Sequence, residues 1–326
     1  MFKALVLEQH DKKTHAEVRN VDDSFLAKED VLIDVEYSSI NFKDGLAITG
    51  LGRIVKQFPM IPGIDLCGQV IESKDSRYSI GSKVILTGWG VGESYSGGMA
   101  EKVCLKGDWL VPLPDTLSTQ QSMMIGTAGF TAMLSVQALI DAGVSPSDGE
   151  ILVTGASGGV GTVSIVLLHA LGYRVVAVSG RSDENNDLLM QLGAKRVLSR
   201  SLFEEPARAL EKQLWAGAID TVGSKILARV LAQMNYGGAV TACGLASGFD
   251  LPTTVMPFIL RAVKLIGIDS VSCPYEKRVE AWQRLATLLP NTFYQQACHE
   301  ISLDEAITYA QKIMQGKITG RTVIKI

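Results

Sequence analysis

The stretch best suited to chemistry is Ile151-Leu152-Val153-Thr154-Gly155-Ala156-Ser157-Gly158-Gly159-Val160-Gly161, an apolar run entering a glycine turn, followed by an apolar helix-length segment over 163–171. Glycines let a backbone approach a pyrophosphate closely, and the free N–H groups at the start of the next helix meet its charge. Ser157, Gly158, Gly159, Val160 and Gly161 are therefore candidate diphosphate-binding residues. Against the pattern G-x-G-x-x-G the string reads A-x-G-x-x-G, with Ala156 at the first glycine; a strand, turn, helix and second strand at the correct spacing restore the match. The end of the second strand, Val178-Ser179-Gly180-Arg181-Ser182, selects the cofactor. NAD wants an acid there for its ribose 2′-hydroxyl, whereas Ser179, Gly180 and Arg181 offer a hydroxyl, an exposed N–H and a bidentate cation to a 2′-phosphate. Arg196, at the start of the third strand, is a second cation for that phosphate. NADPH is the expected cofactor.

Metal chemistry finds no such pattern. The five cysteines, Cys67, Cys104, Cys243, Cys273 and Cys298, form no C-x-x-C pair, and His10, His15, His169 and His299 share no ligand spacing. A disulfide framework is not readable either, so a reducing cytoplasm is the expected setting. The start, Met1 to Glu8, meets charge too early for a secretory signal. A net charge of −3 gives no overall attraction to nucleic acid or anionic lipid, and 47% hydrophobic against 20% charged residues excludes a disordered chain. The uncharged stretch 116–140 has the length of a membrane span, but its glutamines, serines, threonines and glycines read as the start of a buried helix.

The elements that must position these residues fall into two styles. Up to about residue 115, short apolar runs (4–7, 30–35, 68–72, 83–87, 100–105) alternate with glycine and proline punctuation, which predicts a small barrel-like domain with long connections. Beyond residue 120, helix-length segments alternate with six β-branched runs, at 151–154, 174–179, 196–198, 218–221, 238–243 and 264–269. Six strands of that kind make a doubly wound parallel sheet. A helix over 276–289 covers one face, after which a short run at 300–303, a helix to Met314 and a strand over 321–326 return to the first style.

Within this frame Asn41-Phe42-Lys43-Asp44-Gly45-Leu46-Ala47-Ile48-Thr49-Gly50, Phe58-Pro59-Met60-Ile61-Pro62-Gly63-Ile64-Asp65, Leu86-Thr87-Gly88-Trp89-Gly90-Val91-Gly92 and Leu251-Pro252-Thr253-Thr254-Val255-Met256-Pro257-Phe258-Ile259-Leu260-Arg261 resemble the medium-chain dehydrogenase/reductase superfamily. The resemblance covers nearly the whole chain and is to the zinc-independent quinone oxidoreductase branch that includes bacterial acryloyl-CoA reductases. It implies an α/β fold: a GroES-like β-barrel catalytic domain over 1–122 and 298–326, and a Rossmann NADP(H)-binding domain over 123–297. Where zinc relatives place a cysteine ligand and a Gly-His-Glu, this chain has Asn41 and Gly63-Ile64-Asp65, so the resemblance implies no zinc site.

Without a metal to polarise an alcohol, the implied reaction is hydride reduction of an activated C=C bond in an enoyl thioester or enone, with acryloyl-CoA as the leading substrate. A quinone reductase is the alternative, and an NADPH-binding sensor without chemistry a third reading. The segment around Asn41 faces the nicotinamide end of the cleft in this superfamily. Many relatives carry tyrosine where this chain has Phe42, which leaves Phe42 an apolar contact, the proton to Lys43, Asp44 or water, and Asn41 as an enolate donor. A structural ion pair between Lys43 and Asp44 is the competing reading of those two residues. Resemblance also places Leu245, Ile259, Ser270 and Gln315 along the cofactor, and Arg53, Lys56, Arg261 and Lys264 are candidates for a CoA-phosphate rim. The apolar run 265–271 would form a sheet edge, which predicts a homodimer.

Overall fold

A computed structural model describes residues 1–326. The chain opens with a hairpin of β1 (Phe2–His10) and β2 (Lys13–Val21). It continues through β3 (Val31–Ser39), α1 (Phe42–Thr49), β4 (Asp65–Ser73), β5 (Lys83–Thr87), β6 (Lys102–Leu105), β7 (Val111–Pro112) and the long helix α2 (Thr119–Asp141). Strands and helices then alternate: β8 (Glu150–Val153), α3 (Gly159–Ala170), β9 (Arg174–Ser179), α4 (Ser182–Gln191), β10 (Ala194–Ser199), β11 (Trp215–Asp220), α5 (Ser224–Ala232), β12 (Met234–Ala242), α6 (Met256–Arg261) and β13 (Lys264–Gly267). The chain closes with α7 (Tyr275–Leu288), α8 (Asn291–Gln296), β14 (Cys298–Ser302), α9 (Ala306–Met314) and β15 (Arg321–Lys325).

Two units emerge. The first comprises Met1–Thr127, Ser270–Ala286 and Cys298–Ile326; the second comprises Ala128–Asp269 and Thr287–Ala297. In the first, a seven-stranded sheet runs in the order β14-β15-β3-β4-β5-β7, with β6 also paired to β3. Its centre is β3, where Val31, Ile33 and Val35 turn inward at every second position and pack on Leu66, Val70, Val84 and Leu86. A separate core joins Leu5 and Leu7 of β1 to Ala47 and Ile48 of α1 and to Ala306 and Ala310 of α9. Strand β2 escapes a reading by hydrophobicity because Lys13, His15 and Glu17 alternate with only half-buried partners.

The second unit is the doubly wound sheet expected, all parallel, in the order β10-β9-β8-β11-β12-β13. Ile151, Leu152 and Val153 are fully buried, as a strand covered on both faces requires. The strand order reverses between β8 and β11, the switch point at which such sheets hold ligands. Helix α2 is long and apolar enough to cross a membrane, but 72% of its most apolar stretch is buried inside the fold, which fits a core helix. It is broken at Gly126, whose φ of 53° and ψ of −160° are not helical.

Candidate functional site

The glycine turn has the geometry its sequence implies. Strand β8 ends at Val153, and α3 starts at Gly159 with Gly158 as its cap. A Cβ on Gly161 would lie 2.4 Å from the Gly155 carbonyl oxygen, so only glycine lets the helix approach the turn this closely. The first N–H groups of α3 have no partner within the helix, and they sit at the positive end of its dipole. The turn is locked from beneath by buried Asp220 at the end of β11, which accepts from Thr154 Oγ1 and from the Gly223 N–H, each at 2.7 Å. Burial pushes the Asp220 carboxyl up, against these hydrogen bonds.

At the end of β9, Ser179 is buried and joins the turn to the next helix. Its hydroxyl donates to Ser157 Oγ at 3.2 Å and accepts from the Arg181 N–H at 3.1 Å. Gly180 is exposed, and Arg181 caps α4 with its guanidinium 3.5 Å from Glu184. Arg196 is not brought here: it pairs in register with Val176, rests on Trp215, and forms a 2.6 Å ion pair with Glu150 at the opposite end of the sheet. Arg200 takes the place instead. Because Ser199 lies beside Ser179, the residue following β10 falls beside Gly180, and the Arg200 guanidinium would be 3.2 Å from a Cβ there. Arg200 was missed because a strand's position relative to its neighbour depends on pairing register, which no local pattern prints. Ser179, Gly180, Arg181 and Arg200 are thus brought together; the strand end itself carries no acid, while Glu184 stands 3.5 Å from Arg181 and Glu204 2.9 Å from Arg200, both at positions where a phosphate could take over the arginines.

The remaining cofactor candidates are spread out. Leu245, 60% exposed, lines an open depression of about 510 Å³ at the ends of β12 and β13 with Ala242, Cys243, Gly244, Gly267, Ile268 and Asp269. Ile259 is exposed on α6. The Ser270 carbonyl accepts from buried Arg278, whose guanidinium also reaches Thr87 and stacks on Trp89. Gln315 is exposed at the end of α9, a helix whose Met314 packs against Gly45 of α1.

The three catalytic candidates on α1 have different fates. Asp44 is 1% exposed and accepts from the Asn41 N–H at 2.8 Å and the Ile64 N–H at 3.0 Å, so it holds the loop rather than meeting a substrate. Burial first, and the Asp65 charge second, push its carboxyl up to about 7. Asn41 is equally committed: its amide donates to Ser39, Asp44 and Asp65 and accepts from Arg321, which leaves no group for an enolate. Lys43 retains solvent access and pairs with Glu93 at 2.7 Å, not with Asp44. Phe42 stands beside it, 42% exposed.

Behind α1 lies a buried polar cluster that sequence reasoning did not find. Asp65 accepts from Ser39 Oγ at 2.7 Å, from the Thr127 N–H at 2.7 Å and from Asn41 at 3.1 Å. Arg321 donates to Asn41 Oδ1 at 3.0 Å, to Ser39 Oγ at 2.7 Å and to the Met124 carbonyl at 3.0 Å. Asn41 stands where the resemblance puts a cysteine ligand and apolar Ile64 where it puts a histidine; Asn41 instead bonds to Asp65, and no group of three or more His, Cys, Asp or Glu side chains could hold a metal. The residues do not fit zinc. Of the four cations considered for a CoA rim, Arg261 is bound to the carbonyls of Ala232, Met234 and Glu211 and Lys264 to that of Ala142, whereas Arg53 and Lys56 are exposed.

A GroES-like sheet unit and a doubly wound parallel sheet with a glycine turn at its switch point are the parts of a two-unit dinucleotide oxidoreductase. The chain matches the family described as alcohol dehydrogenase GroES-like domain over residues 27–115, and that described as zinc-binding dehydrogenase over residues 159–288. It is 61% identical over 325 residues to the Escherichia coli protein named "Probable acrylyl-CoA reductase AcuI", with 100% of both chains covered. It is 47% identical to the acrylyl-CoA reductase AcuI of Ruegeria pomeroyi, covering 100% of this chain and 99% of the relative. The yhdH oxidoreductase of Salmonella enterica, solved in complex with NADP, is 59% identical and superimposes with a TM-score of 0.98 over 99% of each chain. The yhfP protein of Bacillus subtilis, solved with NAD bound, is 45% identical with a TM-score of 0.96, covering 100% of this chain and 99% of that one. The chain belongs to the medium-chain dehydrogenase/reductase superfamily, as its motifs imply.

Proposed function

We propose that this protein is a zinc-independent, NADPH-dependent reductase of the activated C=C bond of a short enoyl-CoA, with acryloyl-CoA converted to propanoyl-CoA as its reaction. The observation that carries the reading is the full-length 61% identity to a relative named for that activity, supported by two arginines, Arg181 and Arg200, beside Gly180 at the end of β9. NADPH, when bound, supplies the hydride.

The chain's own residues do the rest. Ser157 to Gly161 hold the pyrophosphate at the start of α3, and Ser179, Gly180, Arg181 and Arg200 hold the 2′-phosphate. Phe42 gives the nicotinamide an apolar wall, with Leu245, Ile259, Ser270 and Gln315 along the remainder. In this reading residues 1–122 and 298–326 carry the substrate and 123–297 hold NADP(H). Hydride addition at the β-carbon moves the π electrons onto the thioester oxygen, and a proton must then reach the α-carbon. Lys43 is the group on α1 with both a proton and solvent access, and its 2.7 Å ion pair with Glu93 orients it.

We infer a homodimer through the free edge of β13, where Leu265 remains 36% exposed, since an apolar strand edge in solution invites pairing. Light scattering giving only a 35.1 kDa species would refute it. Five cysteines, all unpaired, support a cytoplasmic setting. The test of function is loss of NADPH absorbance with acryloyl-CoA, crotonyl-CoA and a benzoquinone in parallel, with NADH as control. Turnover of acryloyl-CoA with NADPH is the expected result; turnover of the quinone alone, or binding without turnover, would overturn it.

A further inference from the structure

We propose that Arg321 is a positioning residue for this reaction: by gripping Asn41 it sets the first turn of α1, and with it Phe42 and Lys43. The inference deepens the reductase reading and rests on it for its kinetic arm.

Three features point the same way. First, Asn41 caps α1, and its side-chain oxygen accepts from Arg321, 280 residues away, at 3.0 Å. The start of α1 is thereby tied to the first residue of the closing strand β15. Second, the guanidinium spans three separate elements. It reaches the Met124 carbonyl on α2, Ser39 Oγ at the end of β3 and Asn41 on the loop entering α1. A planar fork can serve three diverging acceptors at once, and a lysine nitrogen on the same stem cannot. Third, α2 is broken to admit it. A Cβ on Gly126 would stand 2.5 Å from an Arg321 nitrogen and 2.6 Å from an Asp65 oxygen, and the backbone there takes a left-handed φ of 53° that interrupts the helix.

A buried ion cluster is a poor source of stability, because desolvation offsets most of the attraction. Keeping a 2% exposed arginine and breaking a helix around it is better explained by the geometry it imposes. What it imposes lies within two residues: Asn41 is followed by exposed Phe42 and half-buried Lys43, the two residues of the first turn of α1 that keep solvent access. Asp44 and its bond to the Ile64 N–H give α1 a second anchor, so loss of Arg321 should displace the turn without unfolding it.

The test uses Arg321→Lys, with Asn41→Ala as a second variant that cuts the tie to α1 and leaves Arg321 its bonds to Met124 and Ser39. Hydrogen exchange is measured over residues 42–50 and over the β1–β2 hairpin without cofactor, NADPH affinity by fluorescence titration, and turnover with NADPH and its 4-deuterated form. Expected are faster exchange over 42–50 with the hairpin unchanged, NADPH affinity within about twofold, kcat lower by about 10- to 100-fold, and a larger deuterium effect as hydride transfer becomes limiting. The proposal is overturned if both variants fold with unchanged exchange over 42–50, or if kcat falls only as the folded fraction falls. It is equally overturned if NADPH affinity drops as far as kcat. A wild type that turns over no enoyl-CoA would sink the reductase reading alone, since the exchange arm needs no substrate.

Discussion

The glycine turn of the second unit and the polar cluster behind α1 in the first are both built to hold groups in place, and they are built in opposite ways. The turn is contiguous: eleven residues, 151–161, supply strand, turn and helix start, and Gly155 and Gly161 have no room for a Cβ. The cluster is assembled from Ser39, Asn41, Asp44, Asp65, Met124, Gly126, Thr127 and Arg321, which meet only after five elements have packed. A phosphate cradle works by presenting backbone N–H groups, which any chain can offer once its dihedrals permit. A buried charge network works through side chains that must all be satisfied together, so its members can be far apart in sequence while tightly coupled in energy.

That contrast predicts where single substitutions hurt. The largest effect is expected at Asp65→Ala, which strips a buried guanidinium of its counter-charge and leaves the Thr127 N–H without its acceptor; a loss of about 3–5 kcal/mol is expected in denaturant unfolding. Arg200→Ala should leave stability nearly unchanged while costing about 1.5–3 kcal/mol of NADPH binding, read as a rise in KM for NADPH with no change for NADH. An equal loss with both cofactors would remove Arg200 from the cradle.

Asp44 offers a smaller, pH-dependent effect. Its folded carboxyl titrates near 7 against an ordinary value of 3.8, so the folded state holds a proton that the unfolded chain has released. The contribution favours folding below about pH 4 and is lost as pH rises toward 7. Asp44→Asn lacks this slope, so the difference in Tm between wild type and variant should shrink from pH 5 to pH 8; a constant or widening difference contradicts the assignment. The smallest effect belongs to Arg196→Ala, which breaks a surface pair with Glu150 worth under about 1 kcal/mol and should leave NADPH affinity untouched.

Much of the fold was legible in the sequence. Six β-branched runs announced the six strands of the parallel sheet; the central ones stand out because strands buried on both faces must be apolar throughout, while the edge strands β10 and β13 are exposed or half-buried over most of their length. Strand β2, half exposed and rich in Lys13, His15 and Glu17, carries no such mark, and α1 is too short for its apolar face to define a period. At the site, Ser179, Gly180 and Arg181 were read correctly as neighbours of one another because they are consecutive. Arg196 lies near the start of β10, opposite Val176, while the end of β9 is met by the residues that follow β10, which is why Arg200 and not Arg196 stands beside Gly180.

The sequence by itself determined what depends on nearest neighbours: the glycine turn, the absence of an acid at the end of β9, and the alternation of strand and helix. Only the tertiary structure decided that Asn41 and Asp44 face inward, that Lys43 seeks Glu93, and that Arg321 reaches back to the start of α1. The physical reason is range. Backbone dihedrals and local sterics act over a few residues and leave their mark in order and spacing, whereas a buried charge takes its partners from whichever elements packing brings within about 3 Å, at any distance along the chain.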